Sequence, residues 1–185
     1  MEYNVNYRYE EDSTGSIISN SLVRKPREIN WTYENQTYSL ESKLEFGTER
    51  SEKGEIKVVV INQKYDFINI AYLSDEYLII LYSNDIKLNT IFPPPNNLVM
   101  YNLKKEIIRV IPPPKPINWD KTSPIYSIGD VKEIDGEKHI AVYIDTDNYF
   151  SKEKGVMGFV EVRWLNLKTF EYHPTENTFI KDYGR

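Results

Sequence analysis

Two histidines, three tryptophans and one acidic loop are where this sequence concentrates its reactive side chains. His139 sits in KHIAVYI and His173 in FEYHP. A metal site or an acid–base pair needs partners at set spacings. No Ser/His/Asp arrangement or paired-histidine spacing surrounds either residue. Both are expected to be ordinary surface or half-buried side chains. Residues 145–149, DTDNY, begin like a calcium loop. The sixth position must turn sharply and needs Gly, but it is Phe150; the twelfth needs a bidentate Glu, but it is Val156. What remains is Asp145 and Asp147 beside Tyr149 and Phe150, an acidic-aromatic contact patch. The eight glycines are scattered and form no phosphate cradle. The absence of cysteine excludes thiolate nucleophiles, thiolate zinc sites and disulfides. The sequence therefore assigns no catalytic residue, no metal and no cofactor.

Aromatic side chains carry the stronger signal. Trp31, Trp119 and Trp164 accompany 15 tyrosines. Tyr and Trp bury much area at little rotamer cost and are enriched at interfaces; Tyr also simply fits strands. Trp119 and Trp164 join Asp145, Asp147, Tyr149 and Phe150 as the candidate binding residues. The net charge of −5 is spread in mixed sign. That disfavours nucleic acid, whose phosphates need Lys and Arg, and disfavours anionic membrane. It permits a basic protein partner. The opening residues, MEYNVNYRYEEDSTG, have neither a basic n-region nor an apolar h-region. The longest apolar run, near residues 77–82, is too short to span a bilayer. A cytoplasmic location is the expectation.

The elements that must position these residues read as strands. Only Ala71 and Ala141 represent the best helix former, while Ile, Tyr, Val and Thr abound. Strands are expected over residues 4–9, 16–23 pairing back on the first, 29–46 as a hairpin turning near 34–36, 56–61 and 67–73. Residues 47–55 read as a charged turn. Residues 76–82, EYLIILY, are nearly continuous in apolar side chains, the pattern of a strand buried on both faces. Prolines 93–95 and 112–116 read as strand stops. Asp135-Gly136 between alternating segments predicts a type I′ hairpin joining 125–134 to 138–144. A last hairpin spans 156–165 and 169–173. The chain is read as one all-β, antiparallel domain over residues 1–185.

One phrase occurs twice. LVMYNLKKEIIRVIPPP at 98–114 is echoed by VRWLNLKTFEYHP at 162–174, so Asn102-Leu103-Lys104 returns as Asn166-Leu167-Lys168. Further upstream, IAYLSD at 70–75 is similar to IAVYID at 140–145. Two repeat units follow, at about residues 57–111 and 131–172. Short antiparallel strands that end in Asn-Leu, a polar turn and an outer strand resemble the blades of kelch-like or F-box-associated β-propellers. Kelch's double glycine and the Trp-Asp of WD repeats are missing from the matching positions. The resemblance implies a propeller-like or two-sheet sandwich fold of two or three four-stranded units.

In composition the chain is similar to bacterial toxin immunity proteins: small, acidic and free of cysteine. That resemblance implies a non-catalytic domain that binds a protein partner, a basic toxin, and covers its active site. The alternative expectation is a carbohydrate-binding module or sugar-acting enzyme that uses its aromatics as stacking platforms.

Overall fold

In the computed structural model the strand-rich composition is realised as fifteen strands, and every regular element among the described residues is a strand. The residues described are 2–7, 14–18, 20–24, 26–42, 46–50, 56–60, 67–84, 90–117, 122–145 and 159–181. The chain runs β1 (Glu2–Tyr7), β2 (Thr14–Ile18), β3 (Ser21–Arg24), β4 (Pro26–Tyr33) and β5 (Gln36–Glu41). Next come β6 (Phe46–Arg50), β7 (Ile56–Val60), β8 (Ile68–Leu73), β9 (Tyr77–Tyr82), β10 (Leu98–Asn102) and β11 (Ile107–Ile111). It ends with β12 (Ile125–Ile134), β13 (Glu137–Asp145), β14 (Phe159–Asn166) and β15 (Tyr172–Lys181).

These strands form a first sheet in the order β2-β1-β4-β5, a middle sheet β11-β10-β9-β8-β3, a last sheet β12-β13-β14-β15, and a separate β6-β7 ribbon. All pairings are antiparallel. The expected all-β antiparallel class is what the chain adopts, as a sandwich of stacked sheets.

The middle sheet explains the continuous apolar run. Successive side chains of a strand point to opposite faces. On β9, Leu78, Ile80 and Tyr82 enter a core shared with the first sheet, where Ile29, Trp31 and Leu40 meet them. Tyr77, Ile79 and Leu81 enter a second core shared with the last sheet, where Ile140, Val142, Ile144 and Leu165 meet them. Every residue of β9 is buried. Complete burial of a Leu or Ile side chain stabilises by about 1.5–3 kcal/mol, so the strand with two apolar faces anchors both layers.

Several local expectations are corrected. Residues 16–23 are not one strand. Asn20 takes φ 64°, in the left-handed region, and the chain breaks there. β2 stays with β1, and β3 crosses to pair with β8 in the middle sheet. Residues 46–50, which run into the segment read as a charged turn, form β6. That strand takes β7 as its partner, so the strand at 56–60 belongs to the ribbon and not to the middle sheet. The middle sheet's meander therefore runs from β8 to β11. The alternation of Val58 and Val60 with Lys57 and Val59 gave no sign of which neighbour would be chosen. The expected hairpin turns do form: Glu34 and Asn35 have φ of 49° and 63°, and Asp135 and Gly136 have 52° and 79°.

The repeated hairpins take equivalent places. β10-β11 and β14-β15 are the last two strands of their meanders. The alanine-containing strands do not correspond: β8 is the first strand of its meander and β13 the second of its own.

Candidate functional site

The repeated Asn-Leu-Lys turns are where the sheets are joined. Asn102 Oδ1 accepts the backbone N–H groups of Lys104 and Glu106 at 3.0 and 2.9 Å. Asn166 Oδ1 accepts those of Lys168 and Thr169 at 2.8 and 2.9 Å. Each is an Asx-type turn, in which a short side chain replaces a backbone partner. The leucine that follows is buried in the core toward the preceding sheet: Leu103 against the first sheet, Leu167 against the middle one. Its carbonyl also receives an aromatic donor from that same sheet. Trp31 Nε1 donates to Leu103 O at 2.8 Å, and Tyr77 Oη donates to Leu167 O at 2.8 Å. The lysine pairs with a carboxylate of a neighbouring turn, Lys104 with Glu34 at 2.8 Å and Lys168 with Glu137 at 3.3 Å. The motif is thus an inter-sheet staple.

These contacts gather the turns at one end of the molecule, and a cleft of about 440 Å³ opens there. Its walls come from three places. Asn20 leads into β3. Tyr72, Asp75 and Glu76 flank the β8-β9 turn. Glu137 and Lys138, with Lys168, follow the turns of the last sheet. Ser74 fixes the β8-β9 turn: its Oγ accepts from the Tyr77 N–H at 3.0 Å and donates to the Tyr77 carbonyl at 2.8 Å. Tyr72 Oη donates to Asn20 Oδ1 at 3.1 Å.

The cleft has a clear electrostatic character. Asn166 donates to the Glu137 carboxylate and Lys168 adds its charge, and together they hold that carboxyl below the usual range. Burial, and then the neighbouring charge of Asp75, pushes the Tyr72 phenol up. Burial also raises the Tyr77 phenol, reinforced by Tyr72 and Glu76. The phenols therefore stay protonated and serve as hydrogen-bond donors, while the Glu137 carboxyl is held toward its ionised form. The site can hold a cationic or strongly hydrogen-bonding group.

The residues singled out in the sequence are scattered. Trp119, Asp147, Tyr149 and Phe150 lie outside the described residues. Asp145 closes β13, opposite Val160, whereas Glu137 of the cleft opens the same strand. The two acidic elements are thus at opposite ends of the last sheet. Trp164 is half-buried on β14, opposite Ala141. Lys132 Nζ lies 4.1 Å from the centre of its ring and also pairs with Glu176 at 3.2 Å, so the chain's own cation occupies that aromatic face. Trp31 is only 2% exposed, inside the first core.

The two histidines meet each other, with ring centroids 5.6 Å apart. His139 Nδ1 donates to the Glu137 carbonyl at 2.9 Å. His173 Nδ1 accepts from the Glu176 N–H at 3.0 Å, and its Nε2 faces Asp135 at 3.3 Å. They hold together the starts of β13 and β15. Among the described residues, no three His, Asp or Glu side chains are placed to hold a metal ion.

No protein-family model, curated protein or solved structure matches this chain. Among the described residues, no helix is long and apolar enough to cross a membrane. Of the cleft residues, sequence reasoning singled out none as a site. The available signal was that SDE at 74–76 and DGEK at 135–138 are both tight turns carrying carboxylates. Only the stacking of two sheets tells which turns share an end.

Proposed function

We propose that this chain is a non-catalytic protein-binding domain acting in the cytoplasm, and that its turn end covers a basic surface of its partner. The observation that carries this reading is the cleft among the hairpin turns, where Asp75, Glu76 and Glu137 outnumber Lys138 and Lys168. Rigid strands present these carboxylates, and the staples at Leu103 and Leu167 fix the turns against one another. A preformed acidic concavity suits a cationic protrusion, because complementary potentials steer encounter and select the partner. A toxin whose active site is basic is the partner class that best fits an immunity role.

The test is affinity purification from the native host, followed by titration of the purified partner. A basic protein should be recovered, and co-expression should relieve its toxicity. Asp75→Lys with Glu76→Lys, both on an exposed turn, should weaken binding by roughly tenfold or more. Recovery of no basic partner, or binding indifferent to both substitutions, would count decisively against the reading.

A further inference from the structure

A second surface, of opposite charge, lies along the far edge of the middle sheet. Among the described residues, β11 is the terminal strand there and pairs only with β10. Four of its five residues are exposed. Ile107 is 53% exposed, Ile108 54% and Val110 38%; with Ile117 at 48%, this stretch holds four of the six large apolar side chains exposed among the described residues. The charge also changes. Residues 104–117, KKEIIRVIPPPKPI, carry four cations and one anion in a chain of net charge −5. Lys104 pairs with Glu34; among the described residues, neither Lys105 nor Arg109 has an ion-pair partner.

The edge is preformed and limited in length. After β11 the proline segment is fastened down. Tyr172 Oη donates to Pro112 O at 3.0 Å, Arg163 Nη1 donates to Lys115 O at 2.9 Å, and the Ile117 N–H donates to Glu161 Oε2 at 3.1 Å. At its other end the ladder slips between Met100 and Tyr101, which gives a bulge at Ile107 and Ile108. A bulge and a run of prolines stop a sheet from growing without limit. Between them stands one short row of backbone groups facing outward.

We infer that β11 takes up an extended segment of another protein as an added strand, and that this segment interleaves carboxylates with branched apolar side chains. In strand addition, main-chain hydrogen bonds supply affinity and alternate side chains supply specificity. Here Ile107, Ile108 and Val110 offer apolar contacts, and Lys105 and Arg109 select acidic neighbours. A second copy of this chain fits poorly. Two-fold antiparallel pairing would set one cationic strip against its own copy, and like charges directly opposite are destabilising. This surface is separate from the acidic cleft, since β10 lies between β11 and Tyr77 of β9, which lines the cleft.

A random octapeptide display library panned on the full chain tests the inference. The retained peptides should interleave Asp or Glu with Val, Ile or Leu. In the isotope-labelled protein, the best of them should shift the amide signals of β11 and β10. Lys105→Glu with Arg109→Glu should weaken that peptide at least tenfold, and N-methylation of its alternate amides should abolish binding. The inference is overturned if no peptide is retained, if the retained ones are basic or uncharged, if the shifts fall elsewhere, or if the free protein dimerises through this edge.

Discussion

At the scale of the residue, the doubled Asn-Leu-Lys phrase shows how one turn can join two layers. Its asparagine shapes the turn, and its leucine enters the core toward the preceding sheet. The leucine's carbonyl would be costly to bury without a donor, because an unsatisfied buried polar group forfeits about 1–3 kcal/mol. Trp31 and Tyr77 supply those donors. Two variants test these bonds, the first of them apart from packing. Tyr77→Phe removes only a hydroxyl and should destabilise the fold by about 1–3 kcal/mol. Trp31→Phe deletes the corresponding donor along with part of a larger ring and should cost more, about 2–4 kcal/mol. Urea unfolding reads both; unchanged midpoints would show that the carbonyls find other donors. The turn chemistry of the doubled Asn-Leu-Lys phrase was legible in the sequence, because a turn asparagine is a local signal. The aromatic donors were not legible: Tyr77 lies 90 residues from Leu167, and Trp31 lies 72 from Leu103.

At the scale of the element, the segment after β11 shows how proline-rich chain is held without a ladder. Residues 112–116 have one amide N–H among them, that of Lys115, because the other four are prolines. Their carbonyls and the flanking N–H are met instead by side chains of the last sheet. Glu161 and Arg163 lie on the inner face of β14, paired at 3.1 Å and exposed by only 1% and 10% at their side chains. A buried ion pair adds little net stability against an apolar replacement, but breaking it leaves an uncompensated charge. Arg163→Met alone should therefore destabilise by about 3–5 kcal/mol, and adding Glu161→Leu should recover much of that loss. Hydrogen exchange at Ile117 should accelerate most in the double variant, which loses the Glu161 acceptor as well as the Arg163 donor. A double variant no more stable than the single one would show that the pair is not the source of the loss. The stop after β11 was readable from proline chemistry alone, whereas residues 93–95 lie inside the β9–β10 loop, beyond the end of β9 at Tyr82. The clamp was not readable, because Glu161-Val162-Arg163 alternates like any half-exposed strand. Only its register against Ile144 and Val142 turns both charges inward. For the same reason β3 was hidden: a single left-handed Asn20 moves four residues into another sheet.

At the scale of the whole molecule, the middle sheet is the shared wall of two cores, and its tyrosines link stability to pH. Tyr72 and Tyr77 are 2% and 9% exposed and face the last sheet. Burial raises both phenols above their ordinary value of 10.0, and nearby negative charge adds to it: Asp75 for Tyr72, ionised Tyr72 and Glu76 for Tyr77. Between that value and the raised folded-state value, the native chain still holds protons that the unfolded chain has released. Stability falls with rising pH wherever the native state binds more protons. The contribution is complete below about pH 10 and drains away as pH climbs through the raised range. The urea midpoint should therefore be level from about pH 8 to about 9.5 and fall progressively above about pH 10. Ultraviolet absorbance should show the exposed tyrosines ionising first, with a further rise only as the sheets separate. Tyr77→Phe should start from a lower midpoint near neutrality yet decline less steeply in alkali, because one of the retained protons is gone. A midpoint that stayed level past about pH 11, or a Tyr77→Phe variant with the same alkaline slope, would mean that the shared wall does not carry the linkage.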